Sequence, residues 1–315
     1  ASAEIQKEEL FLRVWSDEDQ VSETDMFTAE GKGTHLMMKW GKEVKESEYQ
    51  GKPLPSFIGF HSNSTVLVQI EKMLPNNLKL PQVASYLLKL LRNILVFDPI
   101  PSHMRDYTKL SDRLFEDGAN LAGVLAALKE PRKTEVEEAL TRYLKALPER
   151  DIKKVWAETV GRSNSDAMLY CQEGWSEDTT HEIDARGMSD GTLRYLAIVA
   201  ALLTREEGSL LVIEEVDNGL HPSRAGSLLE MLRTLGKERN IDVIVTTHNP
   251  ALLDAAGIEL LPYIAMAYRD NKTGVSRLKQ LEDLKQLPKL LASGNLGKLS
   301  SEGRIQSAIK RETQE

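Results

Sequence analysis

The run Leu210-Leu-Val-Ile-Glu-Glu215 constrains this chain more than any other feature. Four apolar residues that end in two adjacent carboxylates describe a buried strand delivering both acids to its C-terminal end. In open α/β sheets that is the edge where ligands sit. Neighbouring strand residues point to opposite sides, so the two acids need not do the same job. One can hold Mg²⁺, directly or through water, while the other polarises an attacking water. Taken alone, the pair is equally well explained as a strand end that happens to be acidic and exposed.

Two further segments change that balance. Ile241-Asp-Val-Ile-Val-Thr246 is a second short strand, and it runs into Thr247-His-Asn-Pro250. Between the strands, Pro222 to Glu238 has helical periodicity, so strand–helix–strand implies a parallel pair with a crossover helix. His248 then lies at the same sheet edge as Glu214 and Glu215, where a neutral imidazole can donate to a phosphate oxygen or to an attacking water. The third segment is Arg186-Gly-Met-Ser-Asp-Gly-Thr-Leu-Arg194, followed by an apolar helix through Leu203. Ser189, Asp190 and Gly191 fall at the helix start, where free backbone N–H groups and the helix dipole attract anions. A plain N-cap explains them as well.

The rest of the chain divides into four zones. Residues 1–75 alternate β-prone stretches (Leu10–Trp15, Thr34–Trp40, Ser64–Gln69) with turns, which predicts antiparallel strands. Residues 76–165 read as a helical lobe. Val83, Leu87, Leu90, Leu91 and Ile94 recur at 3–4 spacing, and Thr134 with Glu137 suggests a capping box. Residues 166–270 read as the α/β part, with Tyr263–Tyr268 as a further strand, and residues 271–315 as a charged helical tail. The 315 residues carry 40 basic and 48 acidic side chains, a formal charge of −8, which argues against a surface wholly devoted to nucleic acid. A local basic lean from Lys272 to Glu315 remains, best explained as solvated helix faces. The longest apolar run, Tyr195 to Leu203, is far short of the roughly 18 residues that span a membrane. The single cysteine, Cys171, excludes an internal disulfide and a Cys-based zinc site, which points to a reducing cytoplasm.

In this order the three segments resemble the C-terminal half of an ATP-binding-cassette-type ATPase. The likeness is to the structural-maintenance-of-chromosomes, RecF-like and overcoming-lysogenization-defect group of AAA ATPases. Met188–Arg194 resembles that group's signature motif, Leu210–Glu215 its Walker B, Val216-Asp-Asn-Gly-Leu-His-Pro222 its D-loop and Thr247–Pro250 its switch-histidine loop. Asp98-Pro-Ile-Pro-Ser-His-Met-Arg105 and Asp117-Gly-Ala-Asn-Leu121 are similar to stretches of single-headed bacterial members. The resemblance implies an α/β P-loop NTPase of the ABC-ATPase head type, with an antiparallel β portion and a helical signature-bearing lobe. It implies ATP and Mg²⁺ as cofactors, with Glu214 at the metal, Glu215 at the hydrolytic water and His248 at the γ-phosphate. Ser189, Asp190 and Gly191 would bind nucleotide held by a second protomer, and Asp217 and Asn218 would line that seam. Implied partners are a second copy of the chain, an effector such as a nuclease or toxin, and DNA. No membrane is implied. Two departures stand out. Thr192 occupies a position that is acidic in cohesin-like heads, and Val216-Asp217 stands where relatives often carry Pro-Glu.

The largest departure concerns the phosphate loop. That loop needs Gly-x-x-x-x-Gly-Lys-Ser/Thr, so that backbone N–H groups wrap the phosphates. Every Gly-Lys pair here fails the pattern, and Glu30-Gly-Lys-Gly-Thr34 reads as a hairpin turn. The expectation is a Walker A segment upstream of Ala1 or on another polypeptide. A non-catalytic, ATPase-like scaffold is the alternative. Gly187-Met-Ser-Asp-Gly191 also satisfies Gly-x-Ser-x-Gly, with Asp217 and His248 following in Ser–Asp–His order. A nucleophile elbow needs a buried strand before it, and Thr179-Thr-His-Glu-Ile-Asp184 is too polar for one.

Overall fold

A computed structural model describes the strands between Lys7 and His61 and residues 79–147, 152–174, 179–270 and 272–312, with side chains from Ser85 onward. The chain divides into two compact units, residues 1–93 and 94–315.

The first unit holds β1 (Lys7–Trp15), β2 (Val21–Glu30), β3 (His35–Trp40), β4 (Glu48–Tyr49), β5 (Lys52–Pro53), β6 (Phe57–His61) and α1 (Lys79–Arg92). Antiparallel pairing gives a four-stranded sheet in the order β1-β2-β3-β6. The pairing of β2 with β3 agrees with the hairpin expected around Glu30–Thr34. The expected strand Ser64–Gln69 lies outside the described residues. Helix α1 stops two residues short of the sequence reading. Asn93 N–H closes onto the carbonyls of Lys89 and Leu90, both at 3.1 Å, and Ile94, which shares the helical spacing, opens a strand instead.

The second unit is built around a three-stranded parallel sheet. β7 (Ile94–Phe97) and β13 (Asp242–Val245) flank β12 (Leu210–Ile213), with Leu210 opposite both Ile94 and Asp242. After β7 and the irregular stretch holding Pro99, Pro101–Met104 form a single 3₁₀ turn that opens on Pro101. Next come β8 (Thr108–Lys109), α2 (Leu121–Ala127), α3 (Arg132–Lys145), β9 (Ile152–Val160), β10 (Asp166–Gly174) and β11 (Thr180–Asp184). The middle of the chain is therefore not wholly helical. β9 pairs along the whole of β10, and β11 and β8 share the opposite edge. Within β9 the burial alternates, with Val155 and Ala157 facing inward. That period of two is a strand signature, which the reading of residues 76–165 as helical passes over.

The expected capping box does not form either. α3 starts at Arg132, two residues before Thr134. The Thr134 hydroxyl donates to Glu130 Oε2 (2.7 Å), and Glu137 reaches across to accept the N–H of Ala157 on β9 (3.1 Å).

α4 (Asp190–Thr204) is buried on every side from Gly191 to Leu203. A helix apolar all round belongs at the centre of a core. It shares that core with Leu95 and Phe97 of β7 and with Leu211 and Ile213 of β12. α5 (Ala225–Glu238) is the crossover helix, so the expected parallel strand–helix–strand unit is present. The opposite sheet face is open. Ile94, Val96 and Ile244 are 38%, 47% and 52% exposed, so the strands that read as buried are covered on one side only.

After α6 (Pro250–Ala256), β14 (Ala265–Arg269) is the strand expected near Tyr263–Tyr268. It does not join the parallel sheet. It pairs antiparallel with β15 (Ser276–Gln280), and its Met266 and Tyr268 pack on a second small core. That core is supplied by α7 (Leu287–Leu291), α8 (Leu296–Ser301) and α9 (Arg304–Glu312). The charged tail is thus helical only from Leu287 onward, because Ser276–Gln280 form a strand, and it is a folded module with Leu299, Ile305 and Ile309 buried. Several of its cations are matched, including Lys279 with Glu312 and Lys298 with Glu302.

Candidate functional site

The parallel ladder continues past the ends of β12 and β13. Thr246 N–H donates to Ile213 O (3.0 Å), Val216 N–H to Thr246 O (3.1 Å), and Glu214 N–H to Phe97 O at the end of β7 (3.2 Å). Thr246 Oγ1 accepts the N–H of Glu215 (2.9 Å). Glu214 and Glu215 therefore leave the strand within a turn that is bonded to both neighbouring strands. The strand-alternation argument does not apply to them, because both lie beyond the last ladder residue, Ile213. The turn separates them instead. Glu215 is in the left-handed region, at φ 44°, which costs a residue with a Cβ about 1 kcal/mol. Its carbonyl accepts Asn218 N–H (2.8 Å).

The next loop is tied to this turn. Thr247 Oγ1 donates to Asp217 Oδ1 (2.7 Å) and accepts the N–H of Asn249 (3.0 Å). Asn249 in turn caps α6 through the N–H of Ala251 (2.9 Å). His248 is carried between Thr247 and Asn249, exposed to solvent at the sheet edge where both acids emerge. Glu214, Glu215 and His248 thus lie at one sheet edge as the strand pattern implies, with Asp217 and Asn218, which the resemblance singles out, in the loop tied to them.

The signature-like segment meets the same turn from the other side. Ser189 is the N-cap of α4, and its Oγ accepts Thr192 N–H (3.1 Å) and pairs with Thr192 Oγ1 (2.8 Å). Thr192 at the position that is acidic elsewhere is accounted for by this hydroxyl pair. Gly191 sits so close to the turn that a Cβ there would lie 2.9 Å from Gly219 O. Only glycine lets the two segments touch. The Asp190 carboxylate is taken by Arg105 Nη2 (2.5 Å). Arg105 Nη1 also donates to the carbonyls of Ala185 (3.0 Å), Arg186 (2.9 Å) and Met188 (2.8 Å), which fixes the loop leading into α4. Within that loop, the Arg186 guanidinium holds the Asp184 carboxyl below its usual range.

The Ser–Asp–His order does not assemble a hydrolase relay. Ser189 Oγ is bonded to Thr192 and Asp217 to Thr247, and the residues before the loop form β11, an antiparallel strand rather than a buried parallel one.

Thr246, Thr247, Arg105 and Arg194 are functional neighbours that sequence reasoning missed. Arg194 had a legible signal, being a charged residue inside an otherwise apolar helix, which must find partners. The threonines had none, because their role depends on where β13 ends.

Neither Glu214 nor Glu215 has its carboxylate in a hydrogen bond or ion pair with another described residue, and both are exposed. Among the described residues no cluster of three or more His, Cys, Asp or Glu side chains could cage a metal. Two free carboxylates without a cage suit Mg²⁺, which keeps waters and shares its shell with substrate phosphates. The residues present fit that group. Among the described residues, no helix is long and apolar enough to cross a membrane.

Comparison with solved structures finds SMC ATPase heads. A head bound to the C-winged helix domain of ScpA is 11% identical, with 90% of this chain and 76% of that chain covered and a TM-score of 0.41. The SMC head domain from Thermotoga maritima is 11% identical, with 86% and 72% covered and a TM-score of 0.36. No curated protein matches the chain. The family model described as "AAA domain, putative AbiEii toxin, Type IV TA system" matches residues 86–254, which run from α1 to α6 and include every site residue above. With more than half of its length so matched, the chain belongs to this family of AAA ATPase domains.

Proposed function

We propose that the chain is the larger part of an ATP-binding and ATP-hydrolysing head that dimerises around nucleotide and works as a conformational switch. The observation that carries this reading is the bonded turn at the end of β12. It presents two uncommitted carboxylates and is tied through Thr246 and Thr247 to the loop holding His248. In this reading Glu214 holds Mg²⁺ through its shell, Glu215 orients or deprotonates the attacking water, and His248 contacts the γ-phosphate. Ser189, Asp190 and Gly191 face nucleotide on a second protomer, with Asp217 and Asn218 along the seam. Arg105 holds the Asp190 carboxylate, which fixes the loop that presents these residues. No Gly-x-x-x-x-Gly-Lys-Ser/Thr pattern occurs in the 315 residues, so the reading requires a phosphate-wrapping loop from a segment outside them.

DNA maintenance or anti-phage defence in the cytoplasm, with an effector or DNA as partner, follows from the resemblance alone. The matched cations of the C-terminal module leave DNA the weaker of the two partners. The test is Mg-dependent ATP turnover by the complete polypeptide beside Glu215→Gln. The variant should bind nucleotide, accumulate as an ATP-bound dimer and lose turnover by about a hundredfold or more. Unchanged turnover, or absence of nucleotide binding in both proteins, would leave the scaffold reading in place.

A further inference from the structure

Arg194 is 4% exposed and lies one turn into α4. A buried guanidinium persists only when its N–H groups are matched. Its Nη1 donates to Pro99 O (2.6 Å). Its Nη2 donates to Glu214 O (2.9 Å) and Glu215 O (3.0 Å) and pairs with Asp98 Oδ1 (3.1 Å). Nε is buried without a partner, so the far end of the fork alone holds the group.

Two of these acceptors belong to the paired acids. Glu215 keeps a left-handed backbone because three bonds pin it: Thr246 at its N–H, and Asn218 N–H and Arg194 at its carbonyl. Strain persists where the surroundings over-determine it, and such positions gather at functional sites.

We propose that Arg194 is a positioning residue for the nucleotide site. By holding the carbonyls of Glu214 and Glu215, it locks the turn that sets the direction of the Glu215 carboxylate. It also makes that turn one rigid piece with α4, whose N-cap is Ser189, so movement of the signature-like helix is felt at the acids of the same protomer. The Asp98 carboxylate and Pro99 carbonyl, at the end of β7, complete the tie. The proposal deepens the ATPase reading and rests on it for its functional meaning.

Arg194→Lys is the informative variant. Lysine keeps the charge, but its single ammonium cannot span four acceptors. Amide hydrogen exchange in residues 214–220 should rise about tenfold while the amides of α4 stay protected. In the complete polypeptide kcat should fall about tenfold or more with nucleotide affinity little changed, a split that general loss of fold would not produce. If Arg194→Lys loses the α4 protection, Asp98→Asn decides. Asp98 is largely exposed, and its loss should raise exchange at the same amides by a smaller factor. Wild-type exchange at 214–220 in a folded Arg194→Lys, or in Asp98→Asn, overturns the proposal. Faster exchange without any ATP turnover in the parent protein would leave the tie standing and remove the ATPase reading instead.

Discussion

Two glycines in helices should respond to alanine with opposite signs. A Cβ at Gly297, in α8, would lie 2.2 Å from Pro250 O and 2.7 Å from the carboxyl of Asp254. A carbon and a carbonyl oxygen cannot approach so closely, so α8 must retreat from α6 by about 1 Å. Overpacking of this kind costs about 1–3 kcal/mol. The retreat also stretches the bond from Gly297 N–H to Asp254 Oδ1, now 2.7 Å, and losing a charge-assisted bond costs about 1.5–3 kcal/mol. Alanine returns only about 1 kcal/mol of helix propensity. The net loss is about 1.5–5 kcal/mol, which lowers the midpoint of a unit this size by about 3–20 °C. Gly226, in the first turn of α5, has nothing within 4 Å of its Cβ position. There alanine should stabilise by about 0.5–1 kcal/mol. Thermal unfolding followed by far-UV circular dichroism, with urea titration to check that m is constant, measures both. A Gly297→Ala protein as stable as Gly226→Ala would refute the close approach of α8 to α6 at Gly297.

Other substitutions probe single contacts. Arg105→Ala strands the carbonyls of Ala185, Arg186 and Met188, and should lower urea stability by about 1–3 kcal/mol; an unchanged midpoint would show that solvent replaces the guanidinium. Burial holds the Glu137 carboxyl above its ordinary 4.5, against the opposing Ala157 N–H and Lys133. The folded state then binds that proton more tightly than the unfolded chain, so this contribution is fully present below the ordinary value and is lost as pH rises through the folded one. Glu137→Gln should flatten that part of the stability profile and gain on the parent as pH rises above that ordinary value. Parallel profiles would count against it.

How much was legible follows the range of the interactions. The β12 and β13 strands, their crossover helix and the N-cap at Ser189 each depend on residues within one turn or one strand, and all are where the sequence places them. Local pattern failed where a distant partner competed. Glu137 had the spacing of a capping box, but the N–H of Ala157 on β9 claims its carboxylate. Ile94 continues the helical spacing of α1, yet parallel pairing with Leu210 makes it a strand residue. Tyr263–Tyr268 had the composition of a further sheet strand, and the hairpin to β15 with its own small core took it elsewhere.

The sequence by itself determined which residues reach the site. An apolar run followed by Glu214 and Glu215, a second run followed by His248, and a capped apolar helix after Ser189 are local patterns, and backbone geometry turns each into an element with a fixed end. Only the tertiary structure decided how those ends are held. Arg194 shows in the sequence only as a charge that must find partners, and it becomes a tie because Pro99, Glu214 and Glu215 expose carbonyls where α4 passes. Asp190 reads as a free acid at a helix start, and Arg105, far away in the chain, takes its carboxylate. Contacts of this kind form only once β7, β12 and α4 share one core, so no local spacing encodes them.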